Sequence, residues 1–131
     1  MKLKAKKKGF TLVELIAVMA IIVILATTIA PKVLGYIDKG KKTNAIEEAR
    51  QVVLAVDSYN ISNTGNEIKT GDKYSDFKDK INSADFIDIS DVKYIADTNT
   101  YEELNKIVKG TVDFNIEDSK IEITNKIDKE N

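Results

Sequence analysis

The chain has 131 residues, room for one modest domain with appendages but not for two full cores. It contains no cysteine and no histidine, which excludes disulfides, thiolate nucleophiles, Cys/His zinc sites and imidazole acid–base chemistry. Its formal net charge of −1 is unevenly spread: Lys2, Lys4, Lys6, Lys7 and Lys8 put five positive charges in front of a remainder carrying −6, and that remainder has no bulk attraction for nucleic acid.

Behind the lysines, Phe10 to Ala30 is apolar except for Thr11, Glu14, Thr27 and Thr28. At about 1.5 Å per residue this run is long enough to cross a hydrocarbon layer about 30 Å thick. The lysines place the start of the span in the cytoplasm and send everything after Lys32 to the outer side. A cleaved secretory signal fits less well, because the run is too long and Thr28-Ile29-Ala30 is followed at once by Pro31.

Glu14 is the anomaly in this run. Twelve Ile, Leu, Val or Phe side chains give about −5 kcal/mol of insertion free energy against roughly +3 kcal/mol for a charge at the membrane centre, so insertion survives the glutamate without gaining from it. An acid at such a position points to a function with a nearby cationic partner. The bland alternative is a carboxylate snorkelling to the cytoplasmic interface.

Pro31 removes a backbone donor and crowds the carbonyl of Thr27, weakening the helix near the membrane exit, and Gly35 is a second weak point. The hydroxyls of Thr27 and Thr28 are expected to satisfy the freed carbonyls. Past Pro31, apolar positions recur at Val33/Leu34, Ile37, Ala45/Ile46, Ala49, Val52/Val53, Val56 and Tyr59, a 3.6-residue stripe with most charges off it. One helix is therefore expected to run to about residue 59, apolar all round in its first half and amphipathic in its second.

Asn60-Ile61-Ser62-Asn63-Thr64-Gly65-Asn66 reads as a turn closing that helix, and its formal glycosylation sequon at Asn60 is read as a coincidence. Ser75 to Ile81 suits a short helix, and Val92 to Ala96 suits a strand. The capping box Thr100-Tyr101-Glu102-Glu103 starts a helix from Tyr101 to about Val108 that stops before Gly110. Thr111 to Ile116 and Lys120 to Thr124 alternate around Glu117-Asp118-Ser119 as a β-hairpin, whose Val112, Phe114, Ile116, Ile121 and Ile123 can lie on the helix stripe. Asp85, Asp88 and Asp91 lack the alternation and central glycine of a calcium loop and read as a solvated acidic segment, and the tail from Asn125 is expected to fray. The fold class is α+β: a long N-terminal helix packed against a small antiparallel head.

The basic leader, Gly9, Phe10-Thr11-Leu12-Val13-Glu14-Leu15 and the apolar run together resemble the type IV pilins and pseudopilins. The resemblance covers about the first 35 residues. It implies a leader over residues 1–9 that a membrane prepilin peptidase removes after Gly9, with N-methylation of the new terminus at Phe10. It also implies a membrane and filament-core helix over 10–31, its amphipathic continuation over 32–60, and a head over 61–131. In a filament of such helices, Glu14 meeting the Phe10 amine of a neighbour would fix axial register, and Pro31 and Gly35 would mark where the helix loosens.

The implied function is non-enzymatic: a subunit inserted in the membrane, then polymerised by the inner-membrane assembly machinery into a homo-oligomeric type IV pilus that contacts surfaces, cells or DNA. No cofactor or metal is implied. A pseudopilin of a type II secretion or competence system is the alternative within the superfamily. The single Pro and the absence of Trp and Cys favour a pilin of a Gram-positive bacterium. From another class, a monomeric single-pass membrane protein with an outer ligand-binding domain would keep its leader and never assemble.

Overall fold

The computed structural model describes residues 9–126, with side chains through Thr124; the basic leader 1–8 and the tail 127–131 lie outside the described residues. In chain order the elements are α1 (Leu12–Ser62), α2 (Tyr74–Ser83), a 3-10 turn (Ile89–Asp91), α3 (Tyr101–Lys109), β1 (Val112–Glu117) and β2 (Lys120–Lys126). They form two compact units, one ending at Ile37 and the other starting at Asp38, so α1 begins in the first and ends in the second.

Among the described residues, the first unit consists of the start of α1 and the three residues before it. From Leu12 to Leu25 every large apolar side chain is more than half exposed, and Val33, Leu34 and Ile37, expected to begin the packed stripe, are exposed too. The stripe that the head covers starts later, at Ala45.

In the second unit Ala45, Ala49, Val52, Val53, Val56 and Tyr59 recur at helical spacing and are all buried. Against them pack one face of α2 (Tyr74, Phe77, Ile81), one face of α3 (Tyr101, Leu104, Ile107) and the inner face of the hairpin (Val112, Phe114, Ile121). Ile116 and Ile123 join this face at its half-buried rim, which completes the expected hairpin set. Tyr74 meets Phe77 edge to face with ring centres 5.7 Å apart.

Each head element ends where local chemistry dictates. Gly110 takes the left-handed conformation (φ 68°) and closes α3 through Gly110 N–H to Ile107 O and Thr111 N–H to Lys106 O. Asp118 and Ser119 both have positive φ, 46° and 60°, the paired conformation that a two-residue hairpin turn demands.

Besides the start of the stripe, four expectations need correction. Asn60-Ile61-Ser62 is not a turn but the last turn of α1, and Asn60 binds the backbone of Ile68 through both side-chain atoms, accepting at 2.7 Å and donating at 3.1 Å. That pairing folds the following loop back onto the helix end and occupies the amide nitrogen a glycan would need. Val92–Ala96 is not a strand: it is pinned instead by Glu48 of α1, whose carboxylate accepts from Lys93 N–H and Tyr94 N–H, and by Ile121 N–H donating to Tyr94 O. The first tail residues do not fray, because the register shifts between Asp113 and Phe114, leaving Thr124 as an extra residue on β2 and letting Asn125 and Lys126 pair with Asp113 and Val112. The fourth concerns the threonines near Pro31 and belongs with the site.

Candidate assembly site

The residues singled out by sequence lie along the first three dozen positions, and a physical reason fixes where each sits. Gly9 and Phe10 precede the helix; Phe10 is 93% exposed. The helix starts immediately afterwards because Thr11 and Glu14 close a reciprocal cap. Thr11 N–H donates to Glu14 Oε2 (3.1 Å) and Glu14 N–H donates to Thr11 Oγ1 (3.2 Å), satisfying a free helix-terminal donor and the N–H of the capping residue.

This cap was legible in the sequence. Thr11-Leu12-Val13-Glu14 has the same T-x-x-E spacing as Thr100 to Glu103, but the apolar run around it draws the eye to membrane burial first. Glu14 therefore has an intrachain partner, and its carboxylate sits at the positive end of the α1 dipole, where negative charge is favoured.

Pro31 lies inside α1, which continues through it. The hydroxyls of Thr27 and Thr28 do not take up the Thr27 carbonyl that Pro31 deprives of its usual donor. Thr27 Oγ1 donates to Ile24 O (2.9 Å) and Thr28 Oγ1 to Leu25 O (2.9 Å) and Ile24 O (3.2 Å), about a turn upstream. A helical hydroxyl reaches back three or four residues, so the two threonines satisfy themselves locally rather than repairing the proline gap. Gly35 sits in the helix with open space around its Cα.

Among the described residues, α1 is the helix long and apolar enough to cross a membrane, and the apolar window in question is wholly unburied. Two shallow grooves on this surface are lined almost entirely by apolar side chains: Ile16, Met19, Ala20, Val23 and Ile24 for one, Ile22, Leu25, Ile29, Val33 and Leu34 among those of the other. Among the described residues no three carboxylates, or other metal-ligating side chains, converge into a cation site, and the Asp85, Asp88 and Asp91 segment is exposed.

Comparison with known proteins adds to this geometry. Residues 4–30 match the model of the prokaryotic N-terminal methylation motif. Over 63 residues, 48% of this chain and 43% of the relative, the sequence is 33% identical to type II secretion system core protein G of Escherichia coli (strain K12). Over 60 residues, 46% of this chain and 42% of the relative, it is 33% identical to the protein of that name from Pseudomonas aeruginosa. The chain thus spans less than half the length of these curated relatives. No solved structure matches it significantly.

Proposed function

Since this chain belongs to the type IV pilin and pseudopilin superfamily, we propose that it is a structural, non-enzymatic subunit that polymerises through its apolar helix into a surface filament of the type IV pilus kind. One observation carries this reading: a helix from Leu12 to Leu34 with its apolar side chains bare in the single chain, headed by a capped glutamate four residues after Phe10. In the membrane, lipid covers that surface; in a filament, the helices of other copies do, with the same side chains.

In this reading hydrolysis of the Gly9–Phe10 bond by a prepilin peptidase removes residues 1–9 and leaves a new amine on Phe10, which is then methylated. Residues 10–31 form the membrane and filament-core segment, 32–60 its continuation, and 61–131 the exposed head. Glu14 keeps its bond to Thr11 through Oε2 and offers its remaining acceptor capacity to the Phe10 amine of an adjoining subunit. The contact fixes register, since a buried ion pair adds specificity more readily than net stability. Pro31 and Gly35 mark where the core helix is easiest to loosen.

The lack of cysteine and tryptophan and the single proline support a Gram-positive pilus subunit. The likeness to core protein G favours a second reading, a pseudopilin that assembles in a type II secretion system. Intact-mass and N-terminal analysis of the chain co-expressed with a prepilin peptidase tests the common premise: the mature protein should begin at N-methylated Phe10. An intact Met1 in the presence of active peptidase would favour a solitary membrane protein. Labelling sheared surface fibres with antibody to residues 61–131 separates long pili, which carry label, from a pseudopilus that stays within the envelope.

A further inference from the structure

Filament growth without closure requires two different surfaces on one chain, each complementary to the other, because a self-complementary patch stops at a dimer. The head carries such a pair. On one side an open groove of about 460 Å³ lies between α1 and β1, walled by Asp38, Lys39, Lys41 and Lys42 from the helix and by Ile116 and Glu117 from the strand. Lys42 is held in place, its Nζ 3.6 Å from Asp113 Oδ1 and 5.5 Å from the centre of the Phe114 ring. Lys39 and Lys41 are exposed and form no ion pair among the described residues.

On another side the 3-10 turn presents Asp88, Ser90 and Asp91 to solvent. Its shape is fixed by Asp88 Oδ1, which accepts from Ser90 N–H at 2.9 Å and from the Ser90 hydroxyl at 2.7 Å. Those same bonds hold the Asp88 carboxyl below the usual carboxylate range. Asp91 lies beside Glu47, Glu48 and Lys93, an acidic surroundings, and forms no ion pair among the described residues.

The two features sit at different heights on α1. The lysine groove is level with residues 38–42, whereas Asp91 shares its groove with residues 44–51. The offset of about eight residues corresponds to roughly 12 Å along a helix. Lys41 and Asp91 do not pair within one copy, but a parallel copy displaced by that amount toward its own N-terminal end would bring its acidic turn level with the lysines.

We infer that the Asp88–Asp91 turn of one copy docks into the Lys39–Lys42 groove of the next, a heterologous contact that adds a head-level register to the helix core. This rests on the filament reading given above. A compact exposed turn suits an open groove, and opposite charges across it steer and select the partner more than they add affinity.

The absence of native cysteine makes the contact directly testable. In sheared fibres the double variant Lys41→Cys/Asp91→Cys should form a ladder of covalent multimers on mild oxidation, while neither single variant does. Dimers from a single variant would reveal a self-complementary contact and overturn the docking. Independently, Lys41→Glu and Asp91→Lys should each lower fibre yield severalfold, and combining them should restore most of it. Fibres that form normally in both single variants, or no ladder in fibres of the double cysteine variant, would remove the docking and leave the filament reading standing; no fibres from the unaltered chain would remove both. Duplex DNA is the other polyanion suited to such lysines. DNA retardation by the unaltered chain, lost in Lys41→Glu with fibre yield unchanged, would reassign the groove and overturn the inference.

Discussion

Among the described residues the same reciprocal cap between a threonine and a glutamate three residues on heads two helices, in surroundings that differ as much as a protein allows. Thr11 to Glu14 and Thr100 to Glu103 build caps with matching bonds: backbone to carboxylate at 3.1 and 3.0 Å, backbone to hydroxyl at 3.2 Å in both. At the first residue after the cap the likeness ends. Leu12 is 75% exposed, whereas Tyr101 is buried and donates its hydroxyl to Asp57 of α1 at 2.5 Å. The same bonds thus form in both surroundings, and what the carboxylate is for depends on what surrounds the helix. Glu103 completes a helix already held by Leu104 and Ile107 in the core; Glu14 heads a helix whose apolar surface still awaits lipid or a neighbour.

The largest expected effect breaks the pair apart. Glu14→Ala should leave membrane insertion intact, since removing a charge eases it, yet abolish or strongly reduce fibres. Glu103→Ala should leave fibre yield near normal and lower only the melting temperature of the head. Fibre yield from the two variants in the same cells measures this. Equal yields would mean that the two carboxylates do the same work and that Glu14 has no register role.

How much of this was readable beforehand follows from the range of the forces involved. The hairpin, the Tyr101 helix and its Gly110 stop were legible because turn chemistry and capping act within a few residues. The amphipathic stripe was legible from Ala45 onward because its period survives in the sequence. Val92–Ala96 misled because its composition suits a strand, while the bonds that position it come from Glu48 and Ile121, 46 and 27 residues away from Tyr94. Thr124 could not be foreseen as a bulge, since alternation alone does not reveal an inserted residue. At the site the converse held: the Thr11 cap was fully local and was hidden by the stronger membrane signal around it.

Alkaline pH should act on the second cap's helix and leave the first cap untouched. Burial, then the bond to Asp57, pushes the Tyr101 phenol up to about 12, and burial, with Asp97, Glu48 and Asp79 nearby, pushes Tyr74 up to about 12. A phenol whose folded value lies above its unfolded value of about 10 stabilises the fold below pH 10 and loses that contribution as pH rises toward 12. Head stability should accordingly fall across that window, with Tyr74 and Tyr101 ionising late in an ultraviolet titration. Asp57→Asn should move one of the two late midpoints downward, because it takes away the negative charge but not the burial. Late ionisation of both, unchanged in Asp57→Asn, would show that burial alone sets the Tyr101 value.

The smallest effects come from the threonines, and they sharpen the comparison most. Removing a capping hydroxyl typically costs about 1 kcal/mol. Thr100→Ala should therefore lower head stability by about that much, read from its denaturant midpoint. Thr11→Ala removes the same bond at the other helix but leaves the Glu14 carboxylate in place, now without its hydroxyl counterpart. If Glu14 acts by meeting the amine of another subunit, Thr11→Ala fibres should form at moderately reduced yield, well above the Glu14→Ala level. Should the two variants prove equally defective, Glu14 would owe its importance to starting the helix, and the first cap would differ from the second only in what its helix later touches.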